Sequence, residues 1–270
     1  MKIAFIGGGN MARALIGGLV DKGTPPTDIV VVEIDPTARL RLMADFGVST
    51  VDKPGAQLAT ATAVILAVKP QLMRAVAQQV GERAGDALFV SIAAGIRLEN
   101  LARWLGGRER LVRAMPNTPA LVHAGVTGLF AHCAVDRDDR EAAENLLASV
   151  GATLWFEREE DLDAVTAVSG SGPAYVFYAM EALEEAAKRL GLAEGASRSL
   201  ALWTFVGAAK LAIERGDSPA TLRAQVTSKG GTTERALEVL EAAGVKELFI
   251  DAVRSACERS RELGDTLGKE

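Results

Sequence analysis

The sequence predicts an α/β protein in two parts, a doubly wound parallel sheet followed by an all-helical domain. Through the first half, short β-branched runs alternate with helix-like stretches, the pattern of repeated βαβ units. One of these runs, Ala63 to Val68, is apolar throughout, as a strand covered on both faces must be. From about Glu159 the texture changes to long alanine-rich and leucine-rich segments of helical spacing. A chain of 270 residues with 49% hydrophobic content fills two modest cores more readily than one large one. The change of texture sets the expected domains at 1–158 and 159–270.

In order, the expected strands are Lys2–Ile6, Ile29–Val32, Ala63–Val68 and Leu88–Ile92. Runs at Leu111–Ala114, Val126–Phe130 and Thr153–Phe156 extend the sheet. The first helix is expected over Ala12–Val20. In the second half, Gly172-Pro173 and Ser218-Pro219 place proline where a first helical turn tolerates it, and Gly191 and Gly244 stand where helices stop. The helices bounded in this way are Ala174–Leu190, Ser197–Glu214, Thr233–Ala243 and Lys246–Leu263.

A formal net charge of −5 without basic runs argues against nucleic acid or an anionic membrane surface as the main partner. Two distant cysteines, Cys133 and Cys257, give neither a disulfide framework nor a metal-type spacing and fit a reducing, cytoplasmic setting. The only histidines, His123 and His132, lack the context of a catalytic base or a zinc site, so no metal is expected.

The chemistry begins at Gly7-Gly8-Gly9-Asn10-Met11-Ala12, a G-x-G-x-x-A pattern between a strand and a helix. Gly7 makes the tight turn, Gly9 admits the pyrophosphate of a dinucleotide, and Ala12 lets the helix pack closely on the sheet. The start of the helix then offers free N–H groups and a positive dipole end to the phosphates. This predicts an NAD(P)-dependent oxidoreductase.

At the end of the second strand, Glu33 has the spacing at which an acid accepts the ribose hydroxyls of NAD, and no arginine stands immediately beside it to receive a 2′-phosphate. Ala67-Val68-Lys69-Pro70 and Ala93-Ala94-Gly95 follow later strands and leave room for a nicotinamide ring, with Lys69 either a cationic contact or an exposed turn residue. Asn117, in Met115-Pro116-Asn117-Thr118-Pro119, either meets ligand or closes an Asx-turn. Two clusters, Ser169-Gly170-Ser171-Gly172-Pro173 and Thr227 to Thr233, combine glycines, hydroxyls and N–H groups ahead of helices, a receptor for a carboxylate or phosphate.

Taken together, these blocks, with Gln71, Ala174 and Tyr175 extending two of them, resemble the pyrroline-5-carboxylate reductases, which catalyse the last step of proline synthesis. The blocks stand in the family's order and span nearly the whole chain. The resemblance implies an N-terminal Rossmann-type domain and a helical C-terminal domain for substrate binding and dimerisation. It also implies reduction of L-1-pyrroline-5-carboxylate to L-proline by NADPH or NADH, in homodimers that assemble further into decamers. By matching position it implies that Ile6, Gly7, Gly8, Gly9, Asn10 and Met11 hold the pyrophosphate. Ala67, Val68, Lys69 and Pro70 border the cofactor from one loop, and Ile92, Ala93 and Ala94 from another. Glu160, Ser228, Gly231, Thr232 and Thr233 contact the substrate, with Thr233 the catalytic candidate. Many members carry a small polar residue or an Asn-Arg pair where this chain has Glu33-Ile34, and that departure points toward NADH.

Two other readings stand beside this one. A β-hydroxyacid dehydrogenase also joins a Rossmann-type domain to a helical one and oxidises an alcohol acid. A dinucleotide sensor binds cofactor without turnover, a role for which the second hydroxyl cluster has no use.

Overall fold

Because side chains alternate across a strand, each short apolar run here feeds two cores at once. The structure, a computed structural model, describes residues 1–269. Its strands are β1 (Ile3–Ile6), β2 (Ile29–Val32), β3 (Ser49–Val51), β4 (Ala63–Leu66), β5 (Leu88–Ser91), β6 (Leu111–Met115), β7 (Gly125–Ala131) and β8 (Gly151–Trp155). They form one sheet in the order β3-β2-β1-β4-β5-β6-β7-β8. One face of β1 sends Ile3 and Phe5 into a core with Leu15, Ile16, Val31, Leu42, Ile65 and Val90. Its other face sends Ala4 and Ile6 toward Val64, Leu66, Met73, Phe89 and Leu101. Side chains such as Phe5 and Phe89 are fully buried, each worth about 1.5–3 kcal/mol over leaving it exposed.

The helices over this sheet are α1 (Asn10–Asp21), α2 (Pro36–Phe46), α3 (Met73–Gly81), α4 (Leu98–Trp104), α5 (Arg137–Leu147) and α6 (Asp161–Val165). Their ends follow local chemistry. Asp35 accepts from the Thr37 N–H and precedes Pro36, which starts α2, and Gly47 ends it in the left-handed region. Asp136 caps α5 by accepting from the Asp139 N–H.

Strands β1 to β6 run parallel, as does the β7–β8 pair, but β7 is antiparallel to β6. The departure from an all-parallel sheet has a simple cause. The connection through the short 3-10 turn Thr118–Val122 cannot span the crossover a parallel pairing requires.

Packing divides the chain into two units, Met1–Ser171 joined by the chain from Ala256 onward, and Gly172–Ser255. The change of sequence texture near residue 158 lies ahead of this packing boundary because α6 and the turn after it belong with the sheet. Leu162 and Ala167 are fully buried there, and a Cβ on Gly128 of β7 would meet Val165.

The second unit contains α7 (Gly172–Arg189), α8 (Glu194–Arg215), α9 (Pro219–Gln225), α10 (Thr232–Ala242) and the first part of α11 (Val245–Lys269). Ser218 caps α9 and Pro219 opens it. No residue of α7, α9 or α10 is buried, and α8 buries only Ser197 and Ala201. Large apolar side chains stay in the open instead, among them Tyr178, Leu190 and Trp203 at 74%, 84% and 73% exposure. Exposed apolar surface on this scale is of the kind that marks an interaction site.

Candidate functional site

Strand order reverses about β1, between β2 on one side and β4 on the other, and in doubly wound sheets ligands bind beyond the strand ends at that reversal. Three backbone hydrogen bonds bring the loops together there. Gly7 N–H donates to Val32 O at 2.8 Å, Ala67 N–H to Ile6 O at 2.8 Å and Ile92 N–H to Leu66 O at 3.1 Å. The segments Ile6–Met11, Ala67–Pro70 and Ile92–Ala94 therefore share one edge of the sheet.

Gly7 has φ +100°, and a Cβ placed on it would lie 2.7 Å from Ala67 O, so only glycine fits. Gly9 precedes α1 without a side-chain cap, and a Cβ on it would meet no protein atom within 4 Å. Intrahelical bonding starts with Arg13 N–H to Gly9 O at 2.9 Å, which leaves the amides of Asn10, Met11 and Ala12 free. Open space beside free amides at a helix start fits the pyrophosphate of a dinucleotide.

Glu33 lies against this turn. Its Oε2 accepts from Gly8 N–H at 2.7 Å and its Oε1 from Asp35 N–H at 2.9 Å. One sequence expectation needs correction here, because an arginine does stand beside Glu33. The first turns of α2 bring Arg39 back so that Nη1 donates to Glu33 O at 2.7 Å and Ile34 O at 3.0 Å. The signal was the Asp35-Pro36 helix start, which places a residue one turn into α2 back over the strand end.

Lys69 is exposed and precedes a 3-10 turn beginning at Pro70. Asn117 is buried and closes no Asx-turn. Its Nδ2 donates to Ser169 O at 3.1 Å and its Oδ1 accepts from Val126 N–H at 2.9 Å, so it ties β7 to the segment after α6. That segment begins the Ser169–Pro173 cluster. Thr166–Gly170 forms a π-helical turn, with Ser171 N–H donating to Thr166 O at 2.8 Å and Ser169 Oγ to Val165 O at 2.9 Å. The hydroxyls of Thr166 and Ser169 and the amide of Ser171 are thus spent on the backbone of α6 and of the turn itself.

The cluster ahead of α10 keeps more of its donors free. Gly231 is the N-cap residue without a side-chain cap, and the first helical bond is Arg235 N–H to Gly231 O at 3.2 Å. The first-turn amides of Thr232, Thr233 and Glu234 are thereby left over. Glu234 reaches back so that its Oε2 accepts from Gly230 N–H at 2.6 Å. Ser228 and Thr232 are exposed, while Gly231 and Thr233 are half-buried.

Glu160 is exposed and stands as the N-cap residue of α6 without capping it through its side chain. It belongs to the sheet-containing unit, and Ser228 to Thr233 belong to the other. The acid beside it, Glu159, turns inward, and nothing in the local sequence marks it off from Glu160. Glu159 Oε1 accepts from Leu98 N–H at 2.8 Å and pairs with Arg113 Nη1 at 3.1 Å. His123 closes a turn at φ 56°, with Nε2 3.6 Å from Asp21, and takes no place at the strand ends. Among the described residues no three His, Cys, Asp or Glu side chains gather as a metal site, and no helix is long and apolar enough to cross a membrane.

Two family models match. One describes pyrroline-5-carboxylate reductase dimerisation and covers residues 159–263, and the other describes a coenzyme F420-dependent NADP oxidoreductase and covers residues 2–95. A pyrroline-5-carboxylate reductase of Pseudomonas aeruginosa is 44% identical over 99% of this chain and 98% of its own length. Among solved structures, a pyrroline-5-carboxylate reductase from Coxiella burnetii is 42% identical, with a TM-score of 0.92 over 97% of this chain and 98% of that one. The Plasmodium falciparum pyrroline carboxylate reductase, solved with NADP bound, is 26% identical, with a TM-score of 0.85 over 98% of each chain.

Proposed function

This chain belongs to the pyrroline-5-carboxylate reductase family, and from that premise we propose how its own residues carry out the reaction. The protein is an oxidoreductase that reduces L-1-pyrroline-5-carboxylate to L-proline with a reduced nicotinamide dinucleotide, the last step of proline synthesis. The observation that carries this reading is the strand-end turn at Gly7–Gly9, with open space at Gly9 and free amides at the start of α1.

Asn10 and Met11 bind the pyrophosphate through these amides in the space that Gly9 leaves open, while Gly8, whose N–H is held by Glu33, shapes the turn. Ala67 to Pro70 and Ile92 to Ala94 border the nicotinamide half from their shared edge. When bound, the cofactor supplies a hydride from its reduced ring, which forms the new C–H bond at the imine carbon. The protein's task is then orientation, which accounts for a site without a histidine.

The free amides of Thr232 and Thr233 at the start of α10, with Ser228 and Gly231 beside them, grip the substrate carboxylate. The Thr233 hydroxyl hydrogen-bonds the ring nitrogen. An alcohol is too weak an acid to be an efficient proton donor at neutral pH, so the imine is protonated before reduction and keeps its proton as the amine of proline. Glu160, an exposed carboxylate, favours that cationic nitrogen.

The protein is a homo-oligomer, a reading that suits the exposed apolar side chains of the second unit. We assign it a dimer that stacks into a decamer, and a cytoplasmic location that suits its free thiols Cys133 and Cys257. Turnover of pyrroline-5-carboxylate with NADH and NADPH in parallel tests the reading. Consumption of either cofactor only in the presence of the imine is expected, and binding without turnover would return the chain to a sensor role.

A further inference from the structure

We infer that the largely buried Arg113–Glu159 ion pair is a positioning device for the reaction, tying the end of the loop Ile92–Arg97 to β6 and anchoring the residue next to Glu160. The inference rests on the functional reading above.

The two side chains are 4% and 16% exposed and meet at 3.1 Å between Arg113 Nη1 and Glu159 Oε1. The same oxygen accepts from the N–H of Leu98 at 2.8 Å. Leu98 is the first residue of α4, so its amide is one that no helical carbonyl can satisfy, and it marks where the loop ends. At the loop's other end, Arg113 stands opposite Ser91 in the β5–β6 ladder, one residue ahead of Ile92. Ser91 is fully buried, and its Oγ faces the Ala93 N–H at 3.4 Å. The ion pair thus holds the exit of the segment that borders the cofactor, and it is anchored on the strand residue whose backbone lies beside the segment's entry. Glu160, the exposed N-cap residue of α6, follows Glu159 directly, so the pair anchors its neighbour in the chain.

The far side of this arrangement is closed by the end of α11. Asp163, in the first turn of α6, accepts from Ser260 Oγ at 2.7 Å, both groups buried. Gly264 passes so close to the loop that a Cβ on it would lie 3.2 Å from Gly95 O. Apolar side chains in place of Arg113 and Glu159 would avoid the desolvation of two charges, so packing alone does not account for the pair. A guanidinium and a carboxylate add direction, which apolar contacts lack. Neither group reaches the reacting atoms, so both are positioning residues.

The test compares the parent with Arg113→Lys, Glu159→Gln and the double variant Arg113→Met/Glu159→Leu, which leaves no orphaned charge. Hydrogen exchange without cofactor, ADP-ribose affinity, and kcat and KM for pyrroline-5-carboxylate are read on each. In the double variant, amides of residues 92–98 are expected to exchange about tenfold faster while residues 4–12 keep the parent rate. ADP-ribose, which needs the glycine turn and Glu33 but not the loop 92–97, should bind within about threefold of the parent, while kcat falls about tenfold or more and the imine KM rises. Glu159→Gln keeps an acceptor for Leu98 N–H and should be intermediate, and Arg113→Lys, which keeps a cation, should retain most of kcat. Parent-like exchange and kcat in the double variant overturn the proposal. So does a parallel fall in ADP-ribose affinity and kcat, or a double variant that cannot fold, either of which assigns the pair to stability alone. If the parent binds ADP-ribose but does not reduce the imine, the functional reading fails instead, and the exchange measurement alone decides the role of the pair.

Discussion

The backbone N–H of Gly8 donates to Glu33 Oε2 at 2.7 Å, so the acid at the end of β2 is also part of the glycine turn. Its other oxygen accepts from Asp35 N–H at 2.9 Å, and Arg39 closes the corner by donating to the Glu33 carbonyl at 2.7 Å. Glu33 is therefore held in one orientation before any ligand arrives. A carboxylate pinned in this way cannot swing aside from a 2′-phosphate, yet each oxygen keeps a lone pair for a ribose hydroxyl.

The first prediction concerns cofactor choice. Two like charges about 4 Å apart repel by roughly 4 kcal/mol at an effective dielectric near 20, and the exposed part of Arg39 offsets some of this. The expected kcat/KM for NADH exceeds that for NADPH by about tenfold or more. Glu33→Ser should narrow or reverse the ratio, and Arg39→Gln should reduce NADPH use more than NADH use. Initial rates with both cofactors decide, and a parent that prefers NADPH refutes the assignment.

The second prediction separates shape from binding in the glycine turn. Gly9→Ala adds a methyl where no protein atom lies within 4 Å, at a backbone φ of −69° that alanine accepts. The melting temperature should hardly move, while the KM for the dinucleotide rises about tenfold or more as the methyl enters the pyrophosphate space. Gly7→Ala should instead destabilise the fold, because its Cβ would sit 2.7 Å from Ala67 O at φ +100°. Equal loss of stability in both variants would contradict this division.

The doubly wound sheet was legible because its strands are apolar on both faces and its first turn carries three glycines, signals that depend only on neighbours in sequence. Strand β3, three residues with Ser49 exposed, offered too short and too mixed a pattern to read. The reversal of β7 was hidden for a different reason, since direction is set by the length of the preceding connection rather than by the strand itself. In the site, glycine positions could be read but the partners of polar side chains could not. Asn117 bonds Ser169, and Glu159 rather than Glu160 turns into the core, because contacts across the fold decide both. Arg39 cannot be read as a neighbour of Glu33 from sequence spacing, since the two meet only after α2 has turned back on its capping Asp35.

The third prediction tests the substrate end. Thr233 lies in the first turn of α10 beside amides that the helix leaves free. Thr233→Ala keeps those amides and removes only the hydroxyl, so kcat/KM for pyrroline-5-carboxylate should fall about 10- to 100-fold with little change in dinucleotide affinity. Thr233→Ser should restore most of the loss. Full kcat together with full affinity for a proline-like inhibitor in Thr233→Ala would rule out a role for the hydroxyl.

The fourth prediction concerns the hydrogen bond that fastens α11 to α6. Ser260 Oγ donates to Asp163 Oδ1 at 2.7 Å, with the two residues 5% and 3% exposed. Ser260→Ala leaves the carboxylate buried without this donor and should cost about 1–3 kcal/mol in denaturant unfolding. Asp163→Asn keeps an acceptor oxygen of the same shape, so its cost in the parent should be smaller. In a Ser260→Ala background the same Asp163→Asn change should become favourable, because it removes a buried charge that has lost its donor. A coupling energy near zero in this double-mutant cycle would mean that the bond contributes nothing to holding the end of α11 on the sheet unit. A coupling of about 1 kcal/mol or more would establish it as the fastening.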